Sequence, residues 1–294
     1  MYEESSSTLT LVSHTVLWPF LLGFVLLSVV KVVSVRAKTS RHHSIYGMAT
    51  SAAVLIGFVV AYTLINPTFR FPPRVALDGI LVLALLAFGF GAVVTFAVLP
   101  SAARMALQLL IIVAGNYLLM VPLFGQWSIF ETVTYLGGTT IVWLFLWAYL
   151  EKLRELSKPA IFNTVLVALP AGAAPVIAVG GTLLIGQLVG ALAAALAACW
   201  LLDINGSRRI GSRSLAAVLA LPLGGLLVMA YQFAEVDLLA LLTVLGLLLI
   251  PELYRRVMGN QQFGYWWVSL QVAVLSLIPI GLALWRVWPE QSLY

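Results

Sequence analysis

From end to end the chain alternates long apolar runs with short polar breaks. Ten such runs stand out, at residues 12–35, 46–65, 76–99, 104–124, 128–150, 160–179, 182–202, 213–232, 236–253 and 265–288. Each is near the roughly 20 residues that a helix needs to cross a hydrocarbon core about 30 Å thick. None alternates with a period of two, so the pattern predicts helices and not the strands of a barrel. The faintest boundary is Gly180-Gly181, where the 43 residues from Ala160 to Leu202 must be cut because they are too many for one crossing. The prediction is an all-α, polytopic transmembrane helix bundle of about ten helices, a single transmembrane domain over residues 1–294. Its loops are too short to hold a soluble domain.

Composition strengthens this picture. The chain is 62% hydrophobic and 9% charged, and its mean hydropathy of +1.05 lies far outside the range of soluble domains. Glu3 and Glu4 precede the first run where a secretory signal would carry basic residues, so that run is expected to stay in the membrane. The lone Cys199 excludes an intrachain disulfide. The formal charge of +5 is spread over several short loops and gives no reason to expect nucleic acid as a partner.

Charge instead reports topology. With the N-terminus outside, the loops after helices 1, 3, 5, 7 and 9 are cytoplasmic and hold thirteen of the sixteen basic residues. The positive-inside rule therefore places both termini externally, in a cell (cytoplasmic or inner) membrane. Arg70, Arg74 and Arg286 are the exceptions. The first two lie in "NPTFRFPPRVALDG", where Pro72-Pro73 stiffens the entry to helix 3 and puts Arg74 and Asp78 four apart on its first turn. Two readings are open: a rim ion pair that anchors the helix, or the mouth of an external binding site made of Arg70, Arg74 and Asp78. Glu131, Glu235 and Asp237 add an acidic outer face around them.

Near the middle of the bilayer the polar residues are Asn116 and Gln187, with Gln108, Gln232 and Gln271 nearer the ends. Amides at such depth either join helices by hydrogen bonds or bind a substrate. Gly186, Gly190, Ala194 and Ala198 recur every four residues on helix 7, a stripe that lets another helix approach closely, whether from this chain or from another. Pro170, Gly172 and Pro175 fall within six residues of helix 6, which is therefore expected to be kinked or partly unwound. Ten helices can also divide into inverted halves, 1–155 and 156–294, with helix 6 matching the Trp18-Pro19-Gly23 interruption of helix 1.

Chemistry for catalysis is sparse. The histidines are His14 and the adjacent His42 and His43 beside Arg41, and no metal-ligand spacing, nucleophile elbow or phosphate loop accompanies them. The loop "DINGSRRIGSR" could meet anionic headgroups but reads more simply as a positive-inside loop. No enzyme activity, cofactor or metal is expected.

The segments "FRFPPRVALDGILVLALLA", "LPSAARMALQLLIIVAG" with "GQWS", "GGTLLIGQLVGALAAALAA" and "YQFAEVDLLALLTVLGLLLIPELYRR" resemble, in this order, a family of uncharacterised integral membrane proteins of planctomycete bacteria. The resemblance runs from about residue 50 to 285. Its polar positions are Pro72, Pro73, Asp78, Trp127, Ser128, Gln187, Glu235, Pro251 and Glu252. It implies the polytopic architecture and brings no activity with it. Two functions follow as expectations. One is a transporter or permease for a small solute or lipid. The other is a non-catalytic membrane subunit that assembles with partner membrane proteins or with copies of itself.

Overall fold

The structure, a computed structural model, describes residues 8–36, 42–67, 69, 73, 75–97, 99–202, 213–258 and 263–288. Among them there is no strand, and ten helices are long and apolar enough to cross a membrane. These are α1 (Thr10–Val32), α2 (Tyr46–Ile65), α3 (Ala76–Phe96), α4 (Ser101–Leu123) and α5 (Ile129–Leu156), followed by α6 (Pro159–Gly180), α7 (Leu183–Leu202), α8 (Ser214–Gln232), α9 (Leu238–Met258) and α10 (Tyr265–Val287). The chain is a multi-pass membrane protein built as an all-α bundle.

At the centre stands α8, whose most apolar window is 94% buried against 22% for α1. It packs on α2, α3, α4, α5 and α7. On one flank α6 and α7 form the closest pair, α1 and α2 lean on α7, and α10 lies along α6. On the other flank α5 touches α8 and α4, while α9 is held by α10 and α6 and barely meets α8.

Lipid tails are as apolar as leucine, so helices in a bilayer associate through close packing and not through the hydrophobic effect. Small residues set the geometry. A Cβ on Gly91 of α3 would stand 2.5 Å from Ser214 Cβ and 2.9 Å from Ser214 Cα, and the Ser214 hydroxyl meets that of Ser51 on α2 at 2.8 Å. The stripe on α7 works in the same way within the chain. A Cβ on Gly186 would lie 2.7 Å from Ala178 Cβ and 2.9 Å from the Ala174 carbonyl of α6. Gly190 faces Thr15 of α1, Ala198 faces Gly23 of α1, and Ala194 is buried with them.

The prolines act differently from one helix to another. In α1 a π turn, Ser13–Leu17, stands just before Pro19 and takes up the backbone bond that the ring cannot make. The expectation that α6 is partly unwound is corrected, because it runs unbroken from Pro159 to Gly180 with Pro170 and Pro175 inside. Its neighbours hold it straight enough to stay helical: a Cβ on Gly172 would come 2.6 Å from Ile280 of α10. The helix that does break is α9, where Leu238–Leu245 and Ile250–Met258 are α-helical and Gly246–Leu249 between them is a 3₁₀ turn. Pro251 offers no N–H to the Leu247 carbonyl, and the chain tightens just ahead of it. Nothing lies within 4 Å of a Cβ built on Gly246, so this glycine weakens the helix without serving any close approach.

Candidate functional site

The polar residues marked out in the sequence go to separate places. Asp78 is 3% exposed and turns into the junction of α2 and α3. The Tyr62 hydroxyl donates to the Leu77 carbonyl at 3.1 Å and lies 3.3 Å from Asp78 Oδ1, while the Asn66 amide donates to that hydroxyl at 2.9 Å. This cluster fastens the two helix ends together. Arg70 and Arg74, the remainder of the expected external mouth, lie outside the described residues.

Glu131 is exposed and closes a capping box at the start of α5. Its carboxylate accepts from the Ser128 backbone N–H and hydroxyl, both at 2.8 Å, and the Ser128 hydroxyl accepts from the Glu131 N–H at 3.2 Å. Two of the orphan donors at a helix start are satisfied in this way. Glu235 is exposed too, in the turn from α8 to α9, with a left-handed φ of 54°. That turn is wide: the Ala234 N–H donates to Met229 O at 3.3 Å and the Val236 N–H to Ala230 O at 3.0 Å. A glycine would adopt this backbone at less cost.

Asn116 is fully buried, and its amide donates to the Thr140 hydroxyl at 2.8 Å, joining α4 to α5. Its Oδ1 has no hydrogen-bond partner among the described residues. Gln187 is half-buried on α7, beside Gly186 of the packing stripe. The arginine exception that is described has a local cause. Arg286, in the last turn of α10, pairs with Asp237, whose other oxygen accepts from the Leu239 N–H at 3.2 Å and caps α9. The Arg286 hydrogen bond holds the Asp237 carboxyl below its ordinary range, helped by the N–H groups of Leu239 and Ala240 and opposed by partial desolvation.

An apolar opening lies elsewhere, in a crevice between α5 and α9 that sequence reasoning did not find. These helices make their main contacts with different neighbours and face each other across a gap floored by α8. A first chamber of about 240 Å³ has walls from Thr139 and Val142 on α5 and from Leu238 and Leu242 on α9, over a floor of Gly224 and Leu227. The hydroxyls of Thr134 and Thr139 are turned back onto their own helix, donating to Phe130 O at 2.8 Å and Tyr135 O at 2.7 Å. The two threonines therefore add little polarity to walls that are otherwise apolar apart from Tyr135 and Tyr231.

Trp143 fixes the join between wall and floor. Its indole N–H donates to Ala220 O at 2.7 Å, and a Cβ on Gly224 would lie 2.2 Å from the same nitrogen. The ring thus rests on bare α8 backbone, and only glycine permits it.

A second chamber of about 310 Å³ continues between the same two helices toward the basic end of the bundle. Tyr149, Lys152 and Ser157 line it from α5 and the turn after it, and Leu249, Pro251, Glu252, Arg255 and Arg256 from α9. Glu252 accepts from Arg255 at 2.8 and 2.9 Å and from Arg256 at 3.1 Å. Lys152 has no hydrogen bond or ion pair among the described residues. One carboxylate against three cations leaves this chamber positive. Along α9 the 3₁₀ turn Gly246–Leu249 lies between the two chambers, with Leu245 lining the first and Leu249 the second.

The break in α9 had a signal in "LLTVLGLLLIPELYRR", a glycine and a proline five apart within an apolar run, but the gap beside it had none. No group of three or more metal-binding side chains occurs among the described residues. No protein-family model matches the chain, and no curated protein matches it significantly.

Proposed function

We propose that the protein is a transporter- or permease-like carrier of a bacterial cytoplasmic membrane whose substrate is a lipid or lipophilic solute that enters sideways from the bilayer. The observation that carries this reading is the apolar crevice between α5 and α9, open along the bundle's flank and bordered by a broken helix. A small polar solute in the first chamber would shed most of its hydration against walls that are mainly apolar, with only the tyrosines Tyr135 and Tyr231 among the lining residues to offer it new hydrogen bonds, at a cost of several kcal/mol. A hydrocarbon chain would lose nothing. The 3₁₀ turn supplies the kind of interruption at which a helix can bend, while Asp237–Arg286 and the bond from Tyr254 to Gln271, 2.8 Å long, tie both halves of α9 to α10. The excess of basic residues at the Lys152 end supports a cytoplasmic location for that end. The likeness to uncharacterised planctomycete membrane proteins belongs to the same proposal and adds no activity.

The competing reading, a subunit that assembles with foreign partners, loses one of its two supports because the α7 stripe is occupied by α1 and α6, and keeps the scarcity of charge at the midplane. Reconstitution into liposomes with a tail-labelled fluorescent lipid tests the carrier reading. The protein should speed the bleaching of inner-leaflet label by an external reductant, and Leu242→Trp should slow it toward the rate of empty liposomes. Bleaching no faster than in empty liposomes, together with a stoichiometric foreign subunit in mild-detergent extracts, would replace the carrier reading with the assembly one.

A further inference from the structure

We infer that the crevice selects an anionic phospholipid, its headgroup held by Lys152, Arg255 and Arg256 in the second chamber and its acyl chain laid along the first; this inference rests on the lateral-entry reading above. Charge complementarity names the occupant. The second chamber holds three cations and the single carboxylate of Glu252, which both arginines already share. An arriving phosphate would meet Lys152 unpaired and could take over an arginine from Glu252, exchanging one charge-assisted hydrogen bond for another.

The spacing agrees. Leu146, at the near end of the first chamber, lies six residues before Lys152, and Thr134, at its far end, lies eighteen before. At about 1.5 Å per residue these positions are about 9 Å and about 27 Å from the headgroup level. A chain of the leaflet at the basic end, reaching about 15 Å to the bilayer midplane, passes into the first chamber. Leu245 lines the first compartment and Leu249 the second, so the 3₁₀ turn stands on α9 at the level where the acyl chain would pass from one to the other. Glu252 then acts as a resident counter-ion that lowers affinity and keeps the site from being permanently filled.

The test uses the full-length protein in mild detergent, with phosphatidylglycerol and phosphatidylcholine of identical chains offered in equal amounts and bound lipid counted by native mass spectrometry. The protein should retain phosphatidylglycerol in preference. Lys152→Gln and Arg255→Gln should each reduce that preference about fivefold, the effect expected of one interfacial cation, and Glu252→Gln should increase it. Leu242→Trp, at a wall position already 42% exposed, should reduce binding of both lipids. Equal retention of both lipids, still blocked by Leu242→Trp, would overturn headgroup selection and leave lateral entry standing. Retention of neither lipid, or retention that Leu242→Trp does not alter, would overturn both. If Leu242→Trp does not yield folded protein, Gly138→Leu fills the same chamber from α5, where nothing lies within 4 Å of a new Cβ.

Discussion

Two proline-bearing helices of this bundle end up in opposite conditions. Pro170 and Pro175 lie within α6, which is continuous, whereas Pro251 follows a 3₁₀ turn that divides α9. The most apolar window of α6 is 72% buried and that of α9 is 44% buried. Where neighbours press on several sides, an alternative backbone path has no room and the helix persists despite the missing bond. In the less buried α9, Gly246 stands five residues before the proline, and the helix gives way between the two. Exposure alone does not break a helix, since α10, only 28% buried, runs unbroken through Pro279.

The sharpest way to break this contrast is to put the same side chain into both regions. Gly186→Leu drives a branched chain into Ala178 and the Ala174 carbonyl and should cost about 3 kcal/mol or more, or prevent folding. Gly138→Leu, on the crevice wall with nothing within 4 Å, should change stability by less than about 0.5 kcal/mol. Thermal unfolding in detergent reads both, and equal losses would show that the crevice is not open. At the junction of the two regions, where Ala234 and Val236 press on Gly181, Glu235→Gly should relieve the left-handed backbone and stabilise by about 1 kcal/mol. A large loss of stability would mean that the carboxylate itself holds the turn.

Gly246→Ala addresses α9 alone. Alanine favours the helix by somewhat under 1 kcal/mol and meets no obstacle, so it should raise the melting temperature slightly and slow any lipid movement. An unchanged rate would separate the 3₁₀ turn from function. The smallest effect concerns pH. Because folding lowers the Asp237 pKa, its contribution is complete above the ordinary carboxylate value of about 4 and fades as pH falls through the lowered native value. The melting-temperature difference between wild type and Asp237→Asn should therefore be constant from pH 7 to 5 and close below pH 4.

The ten crossings could be read from the chain because a bilayer imposes length and polarity on each helix separately, whatever packs against it. The α7 stripe was readable as a close-packing face, since Gly186 and Gly190 lie one turn apart, though its neighbours were not. The functional surface was harder to see. Asp78 and Glu131 attract attention as charges near the membrane boundary, yet one is part of a helix junction and the other a helix cap. The crevice arises where α5 and α9 fail to meet, and no residue in a linear pattern records a missing contact. Trp143 and Gly224 show the difficulty: 81 positions separate them, and neither is unusual until the indole is placed on the glycine backbone.

The Asp237–Arg286 pair also bears on the order in which the bundle is made. The two residues are 49 positions apart, so Asp237 and the first half of α9 leave the ribosome while the guanidinium that will secure them has not been synthesised. Until α10 arrives, α9 has its packing on α6 but neither of these side-chain ties, because Gln271, the partner of Tyr254, belongs to α10 as well. The crevice therefore acquires its second wall last, and a nascent chain inserts its other helices before any site between α5 and α9 exists.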